Sequence, residues 1–304
     1  MYKPKNILVI VFLIFSLLSC SSSKKQVEPL NYISYFNSIH VADSLYLTNN
    51  FTACYKLLDS LFQKYTPLNS DEFAEYSVYL SSGVKCGKIT NIREKAIYGL
   101  KNFGSIQSLH NQGYEMYEEV KRKAGITNEE ESALKIIYFN SLNKEYRSQI
   151  LKIYNRDQFN RESLNTSQLD SIDKLNLSQF ENVFKKYGFP QKNKIGSVNA
   201  NDMPDNWFVK LDVLFMHQPT AVRERYLSIF LDGVKKGWCE PLVYASIFDK
   251  NEIENGRNQK YGTFVCYGAE QCPIENPEAI HKTRKEIGLP PLNYFKWRIK
   301  KLED

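Results

Sequence analysis

Residues 32–65, YISYFNSIHVADSLYLTNNFTACYKLLDSLFQKY, carry the pattern that decides the fold. Two segments flank the polar break Thr48-Asn49-Asn50, and each places apolar residues on one face with a period of about 3.6 residues. The face of the first segment holds Tyr35, Ile39, Ala42, Leu45 and Tyr46, and that of the second holds Cys54, Leu57, Leu58, Leu61 and Tyr65. The stretch therefore predicts two helices joined by a short turn.

A hairpin of this kind resembles the repeat unit of tetratricopeptide proteins. A third helix is predicted over Ser70–Cys86, and glycines then divide the chain into shorter helices up to Gly125. No clean recurrence at the roughly 34-residue period of such repeats follows. The resemblance implies a helical-hairpin scaffold over 31–126 that presents a surface to a partner, with a plain packing module as the alternative.

The chain after residue 126 also predicts helices, at 127–161, about 167–187, 205–217, 220–236 and 241–249. The polar, glycine-containing segment Asn255–Pro273 interrupts them, and Gln259–Val265 predicts a short strand or hairpin within it. A further helix starts at Asn276-Pro277-Glu278. The sequence thus predicts a mainly α protein, in which tetratricopeptide-like hairpins precede a C-terminal α-rich domain at 127–304 with one irregular loop or short hairpin.

The N-terminus carries the pattern of an export signal. Lys3 and Lys5 precede the apolar segment Ile7–Leu18, which is shorter than the roughly 20 residues that a transmembrane helix needs. The sequence Leu17-Leu18-Ser19-Cys20 resembles the lipobox of bacterial lipoproteins, although Leu18 is bulkier than usual. The resemblance implies a signal peptide at 1–19, lipidation of Cys20 and a polar tether at 20–30. A cleaved secretory signal with an incidental cysteine is the alternative.

The lipobox resemblance also implies a location and a partner. The protein would be held in the bacterial cell envelope by acyl chains such as palmitate, so the membrane is one partner. The tether lacks the acidic run that resembles surface-export signals, which favours the outer membrane facing the periplasm. Without Lys3 and Lys5 the 40 Lys and Arg become 38, against 34 Asp and Glu, and no basic run is interleaved with aromatic residues. The composition therefore predicts no nucleic-acid partner.

Cysteine usage bears on disulfides and metals. Six cysteines are present, and with Cys20 lipidated the other five lie in a compartment that permits disulfides. Cys266 and Cys272 flank a loop-like segment and are the favoured pair. A zinc site that adds Cys239 and His281 is the alternative, but no C-x2-C or H-x3-H spacing supports it. The sequence predicts no cofactor.

Several polar residues interrupt apolar faces or lie at helix ends. Asp157 and Arg161 extend an apolar stripe as an i, i+4 pair. Asp173 and Asn176 are set into the face of the next helix, where they need partners. His217 and Asp249 each lie where a predicted helix meets a loop.

The order of these residues resembles an uncharacterised bacterial family, a domain of unknown function, over about residues 150–295. Its members read roughly DQxxR, DxxN, GWP, QH, DR, QxYGT and RxxxGLxPL. The matching residues here are Asp157-Gln158-x-x-Arg161, Asp173-x-x-Asn176, Gly188-Phe189-Pro190, Gly196, His217, Asp249, Gln259-x-Tyr261-Gly262-Thr263 and Arg284-x3-Gly288-Leu289-x-Pro291-Leu292. Phe189, Met216 and Lys250 depart from the pattern. The resemblance implies a domain and a set of residues rather than a reaction.

Two functions follow from these patterns. The first is a lipid-anchored envelope protein that binds a protein partner or a glycan. The alternative is a periplasmic enzyme, such as a hydrolase, in which His217 is the general base, Asp249 orients it and Arg161 holds an anion. The remaining binding residues would be Asp157, Asp173, Asn176, Gln259, Tyr261 and Arg284. The sequence has no nucleophile elbow, zincin, P-loop or dinucleotide motif, which favours the binding protein.

Overall fold

The computed structural model of the 304-residue chain describes residues 30–107, 113–159, 161–196, 210–266 and 272–303. These segments contain fourteen α-helices, one short 3-10 helix at Arg161–Ser163 and no β-strand, which confirms the prediction of a mainly α protein. The helices are α1 Ile33–Leu47, α2 Phe51–Lys64, α3 Glu75–Lys85, α4 Ile92–Phe103, α5 Gly113–Ala124, α6 Asn128–Ser141, α7 Lys144–Gln158, α8 Thr166–Tyr187, α9 Lys192–Ile195, α10 Leu211–Met216, α11 Thr220–Lys235, α12 Pro241–Glu254, α13 Ile280–Lys285 and α14 Tyr294–Glu303.

The predicted signal peptide, Cys20 and most of the tether lie outside the described residues. In the part of the chain that is described, no helix combines the length and the apolar composition that crossing a membrane requires.

The first hairpin forms as its sequence predicts. Asn49 takes a left-handed conformation in the turn, with φ of 59°, and the side chain of Asn50 caps α2 by accepting a hydrogen bond from the backbone N–H of Ala53. Ile39 on α1 and Leu58 on α2 are buried in the same apolar core. The packing fits a helical hairpin, and membership of the tetratricopeptide class stays a prediction.

Helix α3 begins at Glu75, five residues later than predicted. The residues before it form a loop, which the Glu75 side chain holds in place. Asn69 and Ala74 both have positive φ, which no helix accommodates. The Glu75 carboxylate accepts hydrogen bonds from the N–H and the hydroxyl of Ser70, each at 2.8 Å. The hydroxyl of Tyr35 on α1 also donates to Glu75, at 2.5 Å. This loop is therefore ordered by a buried carboxylate.

The bounds of three helices in the second half, α12, α13 and α14, differ from the predictions. Helix α12 continues to Glu254 instead of ending at Asp249. The N–H of Ala279 is capped by Asn276, as predicted, but a turn precedes the helix, which begins at Ile280. The basic aromatic tail forms α14. Of the helix predicted at 205–217, the described part is Leu211–Met216. The expected strand or hairpin is reduced to an isolated bridge between Gln259 and Ile274.

The main apolar cluster of the described residues includes residues from both predicted regions. The backbone N–H of Tyr32 donates to the carbonyl of Lys235 at 2.8 Å, which joins the start of α1 to the end of α11. Gly288, with φ of +89°, lies against α1 so closely that an added Cβ would come within 2.8 Å of Phe36. The N-terminal hairpins therefore pack directly on the C-terminal segments.

The favoured disulfide between Cys266 and Cys272 is present, with an S–S distance of 2.06 Å. Because both sulfurs are in the disulfide, neither is available as a thiolate ligand for the alternative zinc site. Within the described segments, no group of three or more His, Cys, Asp or Glu side chains is placed to hold a metal ion.

Candidate functional site

The residues predicted for a site form two hydrogen-bonded groups. The Asp157 group consists of Asp157, Arg161, Asp173, Asn176 and His217. The Asp249 group consists of Asp249, Gln259, Tyr261, Thr263 and Arg284. Each group is described in turn, followed by the cavities.

The Asp157 group ties α7, α8 and the end of α10 together. Asp157 is buried, and its Oδ2 lies 2.8 Å from Nδ1 of His217, while Asn176 donates to its Oδ1 at 3.5 Å. Arg161 makes two parallel hydrogen bonds of 2.9 Å to the carboxylate of Asp173 and a weaker one of 3.4 Å to Asp157. Every one of these polar residues has a partner within the group.

This geometry changes two of the predicted roles. The carboxylate that orients His217 is Asp157, whereas Asp249 belongs to the other group. Hydrogen bonding to Asp173 raises the pKa of Arg161, and the paired guanidinium faces carboxylates of the protein itself. Arg161 therefore does not offer the open anion site that the enzyme hypothesis requires. The His217 side chain is 28% exposed.

The Asp249 group holds the irregular loop. The Asp249 carboxylate accepts hydrogen bonds from the backbone N–H of Lys260, Tyr261 and Thr263 and from the Thr263 hydroxyl, at 2.8 to 3.0 Å. Burial raises the pKa of Asp249, and these hydrogen bonds oppose the rise. A carboxylate that is fully buried and accepts four hydrogen bonds has no lone pair directed to solvent.

Gln259 and Arg284 complete this group. The Gln259 amide donates to the carbonyl oxygens of Phe264 and Cys272 and accepts from the N–H of Phe264. Arg284 donates to the carbonyl oxygens of Pro290 and Tyr261, at 2.6 and 2.5 Å. The Tyr261 ring is buried against Phe248. The side chains of Gln259 and Arg284 thus bind the protein's own backbone, and that of Tyr261 is buried in the core.

Sequence reasoning missed Arg223 on α11, which is 1% exposed. Its guanidinium donates to Asn251 at 2.5 Å and to the carbonyl of Met216 at 3.1 Å, and it forms an ion pair with Glu254. It therefore links the segment that carries His217 to the helix that carries Asp249. The available signal was an arginine in register with the apolar residues Tyr226 and Phe230 at i+3 and i+7.

Two further cavities among the described residues are lined by other side chains. An open groove of about 650 Å³ runs along α2, α3 and α4, and we call it the first section of the aromatic groove. Tyr98 is its most exposed aromatic residue, at 37%, whereas Tyr65, Tyr76 and Tyr79 are buried beneath it. The section is lined by Asp59, Phe62, Gln63, Lys64, Tyr65, Thr66, Pro67, Tyr76, Tyr79, Glu94, Lys95 and Tyr98.

A second section, of about 370 Å³, continues the groove because it shares Thr66, Pro67 and Tyr98 with the first. It reaches the C-terminal half at Trp238. Both volumes lie within the range of about 300–1,000 Å³ that is typical of ligand pockets. The further residues of this section are Tyr32, Leu68, Asn102, Phe103, Tyr138, Gln191, Lys192, Asn193, Lys236, Gly237 and Trp238.

A smaller cavity of about 170 Å³ lies beyond Lys192 and Trp238. The Lys192 ammonium pairs with Asp71 at 2.8 Å and with Glu240, which also accepts the N–H of Asp71 at 2.7 Å. Burial raises the pKa of Glu240 to about 7, although Lys192 opposes this rise. Lys192, Asp71 and Glu240 connect three segments that are distant in sequence. A contact of this kind produces no local sequence pattern from which it could be predicted.

Comparison with known proteins assigns no function to these residues. No protein-family model, no curated protein and no solved structure matches the chain. The resemblance to a domain of unknown function therefore stays an expectation from the motifs.

Proposed function

We propose that this chain is a lipid-anchored protein of the bacterial envelope whose folded part is a binding scaffold. The observation that supports binding is the aromatic groove, which is large, open and separate from the saturated polar groups. Aromatic side chains combine apolar faces with polar edges and are enriched where proteins bind partners. The lipobox-like Leu17–Cys20 supports the anchor.

The anchor is tested by fractionation of cells that express the full chain. We expect the wild type in the outer-membrane fraction, labelled by radioactive palmitate, and Cys20→Ser unlabelled and released from that fraction. Cys54→Ser, which changes a buried cysteine of the core, is the matched control and should stay labelled. An unlabelled wild type in the cytosol would refute the anchor.

The scaffold is tested by affinity capture from solubilised envelopes. We expect the wild type to retain an envelope component that Tyr98→Ala loses, because Tyr98 belongs to both sections of the groove. His217→Ala is the matched control, since His217 belongs to the Asp157 group and not to the groove. Retention that depends on His217 and not on Tyr98 would contradict the proposal.

One observation favours a second candidate, a periplasmic hydrolase. The 2.8 Å contact between Asp157 and Nδ1 of His217 is the arrangement in which a carboxylate orients a general base. The enzyme would be supported if His217→Ala abolishes hydrolysis of envelope substrates while the variant unfolds at the same urea concentration as the wild type. Equal activity in the wild type and the variant would exclude this histidine.

A further inference from the structure

The aromatic groove carries information on the class of its ligand, and the inference drawn from it rests on the proposed binding function. The charged side chains of its first section balance. There, Asp59 lies 3.9 Å from Lys95, and the other charged residues are one acid and one base, Glu94 and Lys64. A section of this composition offers no net charge to a ligand.

The two lysines of the second section are already neutralised by the protein. Lys236 pairs with Asp232 at 2.6 Å and lies 4.6 Å from the centre of the Trp238 ring. Lys192 pairs with Asp71 and Glu240. An anionic ligand would compete with these carboxylates for each ammonium, so the lysines do not favour one.

The second section also presents hydrogen-bonding groups that the protein does not use. Within the described segments, the hydroxyl of Tyr98 and the side-chain amides of Gln191 and Asn193 make no hydrogen bond, and neither does the indole N–H of Trp238. Amides both donate and accept, and so does a hydroxyl. The complementary ligand carries many groups that do the same.

We infer that the aromatic groove binds a neutral oligosaccharide. Sugar hydroxyls both donate and accept hydrogen bonds, and the C–H face of a pyranose ring packs on an exposed aromatic ring such as Tyr98. The two sections share Tyr98, and their volumes of about 650 and 370 Å³ suit several linked sugar units better than a single one. A protein partner would instead favour a central patch with few charged residues, whereas four charged side chains line the first section.

The inference is tested by calorimetric titration of the full chain in a zwitterionic detergent that has no sugar head group. The neutral probes are cellotetraose, maltotetraose and tetra-N-acetylchitotetraose, and tetragalacturonate is the anionic comparison. We expect at least one neutral probe to bind with a Kd below about 1 mM, and more tightly than tetragalacturonate. Binding of tetragalacturonate alone would overturn the inference, as would binding of none.

Variants locate the site. Tyr98→Ala should weaken binding about tenfold through the lost ring contact. Asn193→Ala changes an exposed side chain outside the core and should weaken binding about fivefold. Phe159→Ala, at an aromatic residue that is 72% exposed and outside the groove, is the matched control and should bind normally. Unchanged affinity in both Tyr98→Ala and Asn193→Ala would overturn the inference. A captured protein that depends on Tyr98, with no sugar bound, would leave the scaffold standing and refute the oligosaccharide.

Discussion

At the scale of single residues, Asp249 illustrates how a buried carboxylate within a helix holds a neighbouring loop. Its carboxylate accepts three backbone N–H groups from residues 260–263 and one hydroxyl. Among the described residues, the loop forms one isolated β-bridge and no longer β-strand pairing. These donors therefore have no other acceptor in the described structure. Buried donors that lose their acceptor keep the full cost of desolvation.

Asp249→Ala should therefore destabilise the protein by about 3–5 kcal/mol, through several buried donors left unpaired. Urea unfolding followed by circular dichroism measures the change. Asp249→Asn keeps one acceptor oxygen and should lose about half as much. A fully stable Asp249→Ala protein that had lost a biochemical activity would instead support the catalytic role predicted from sequence.

Glu131 provides a residue-scale prediction on pH. Burial would raise the pKa of Glu131, but hydrogen bonds from Lys121, Lys135 and Tyr117 outweigh it and lower the pKa to about 2. A folded pKa below the ordinary value of 4.5 adds stability at pH values above 4.5, and this contribution is lost as the pH falls through 2.

Glu131→Gln should cost about 2 kcal/mol of unfolding free energy at pH 6, after allowance for solvent screening, and almost nothing near pH 2. Urea titrations at pH 6, 4 and 2.5 measure the difference. Glu118→Gln is the control, because Glu118 pairs with the same lysine at 3.5 Å but is 46% exposed. A wild type and a Glu131→Gln protein that differ equally at all three pH values would contradict the assignment.

At the scale of elements, the docking of α14 on α1 depends on one buried carboxylate. Asp43 of α1 is 1% exposed and accepts hydrogen bonds from the Tyr294 hydroxyl at 2.6 Å and from Nε of Arg298 at 2.9 Å. Removing one partner of a buried ion pair leaves an uncompensated charge, which costs more than the pair contributes.

Arg298→Ala should thus destabilise the protein by about 3 kcal/mol and increase hydrogen exchange in α14. The double variant Asp43→Asn, Arg298→Met removes both charges and should recover most of that loss. Lys300→Ala, on the exposed side of the same helix, should behave as the wild type. Exchange in α14 that is unchanged by Arg298→Ala would show that other contacts hold this helix.

Element prediction succeeded where local chemistry decides and failed where distant residues do. The turn at Asn49-Asn50 is encoded within a few residues, so α1 and α2 were predicted closely. The loop before α3 depends on Glu75, whose carboxylate binds backward to Ser70 and across to Tyr35. The carboxylate that contacts His217 was mispredicted for the same reason. Asp157 and His217 are 60 residues apart, and sequence pairs His217 equally well with Asp249.

At the scale of the whole molecule, the division at residue 126 does not coincide with a break in the core. The main apolar cluster of the described residues contains residues from both sides. Polar contacts cross the same line, namely Tyr32 with Lys235, Asp71 with Lys192 and Asp43 with Arg298. The aromatic groove also depends on this packing, because Tyr98 and Trp238 come from the two different regions.

We therefore expect segments 31–126 and 127–304 not to fold when they are expressed apart. Each would expose core residues such as Phe36 and Leu289, at about 2 kcal/mol per large apolar side chain. Urea unfolding of each segment, followed by circular dichroism and amide NMR dispersion, tests this. Deletion of residues 299–304 is the control, because Tyr294 and Arg298 remain and Ile299 is 56% exposed, so that protein should unfold cooperatively. A cooperative transition in isolated 31–126 would establish an independent helical-hairpin domain, and the groove would then lie between two separately folding units.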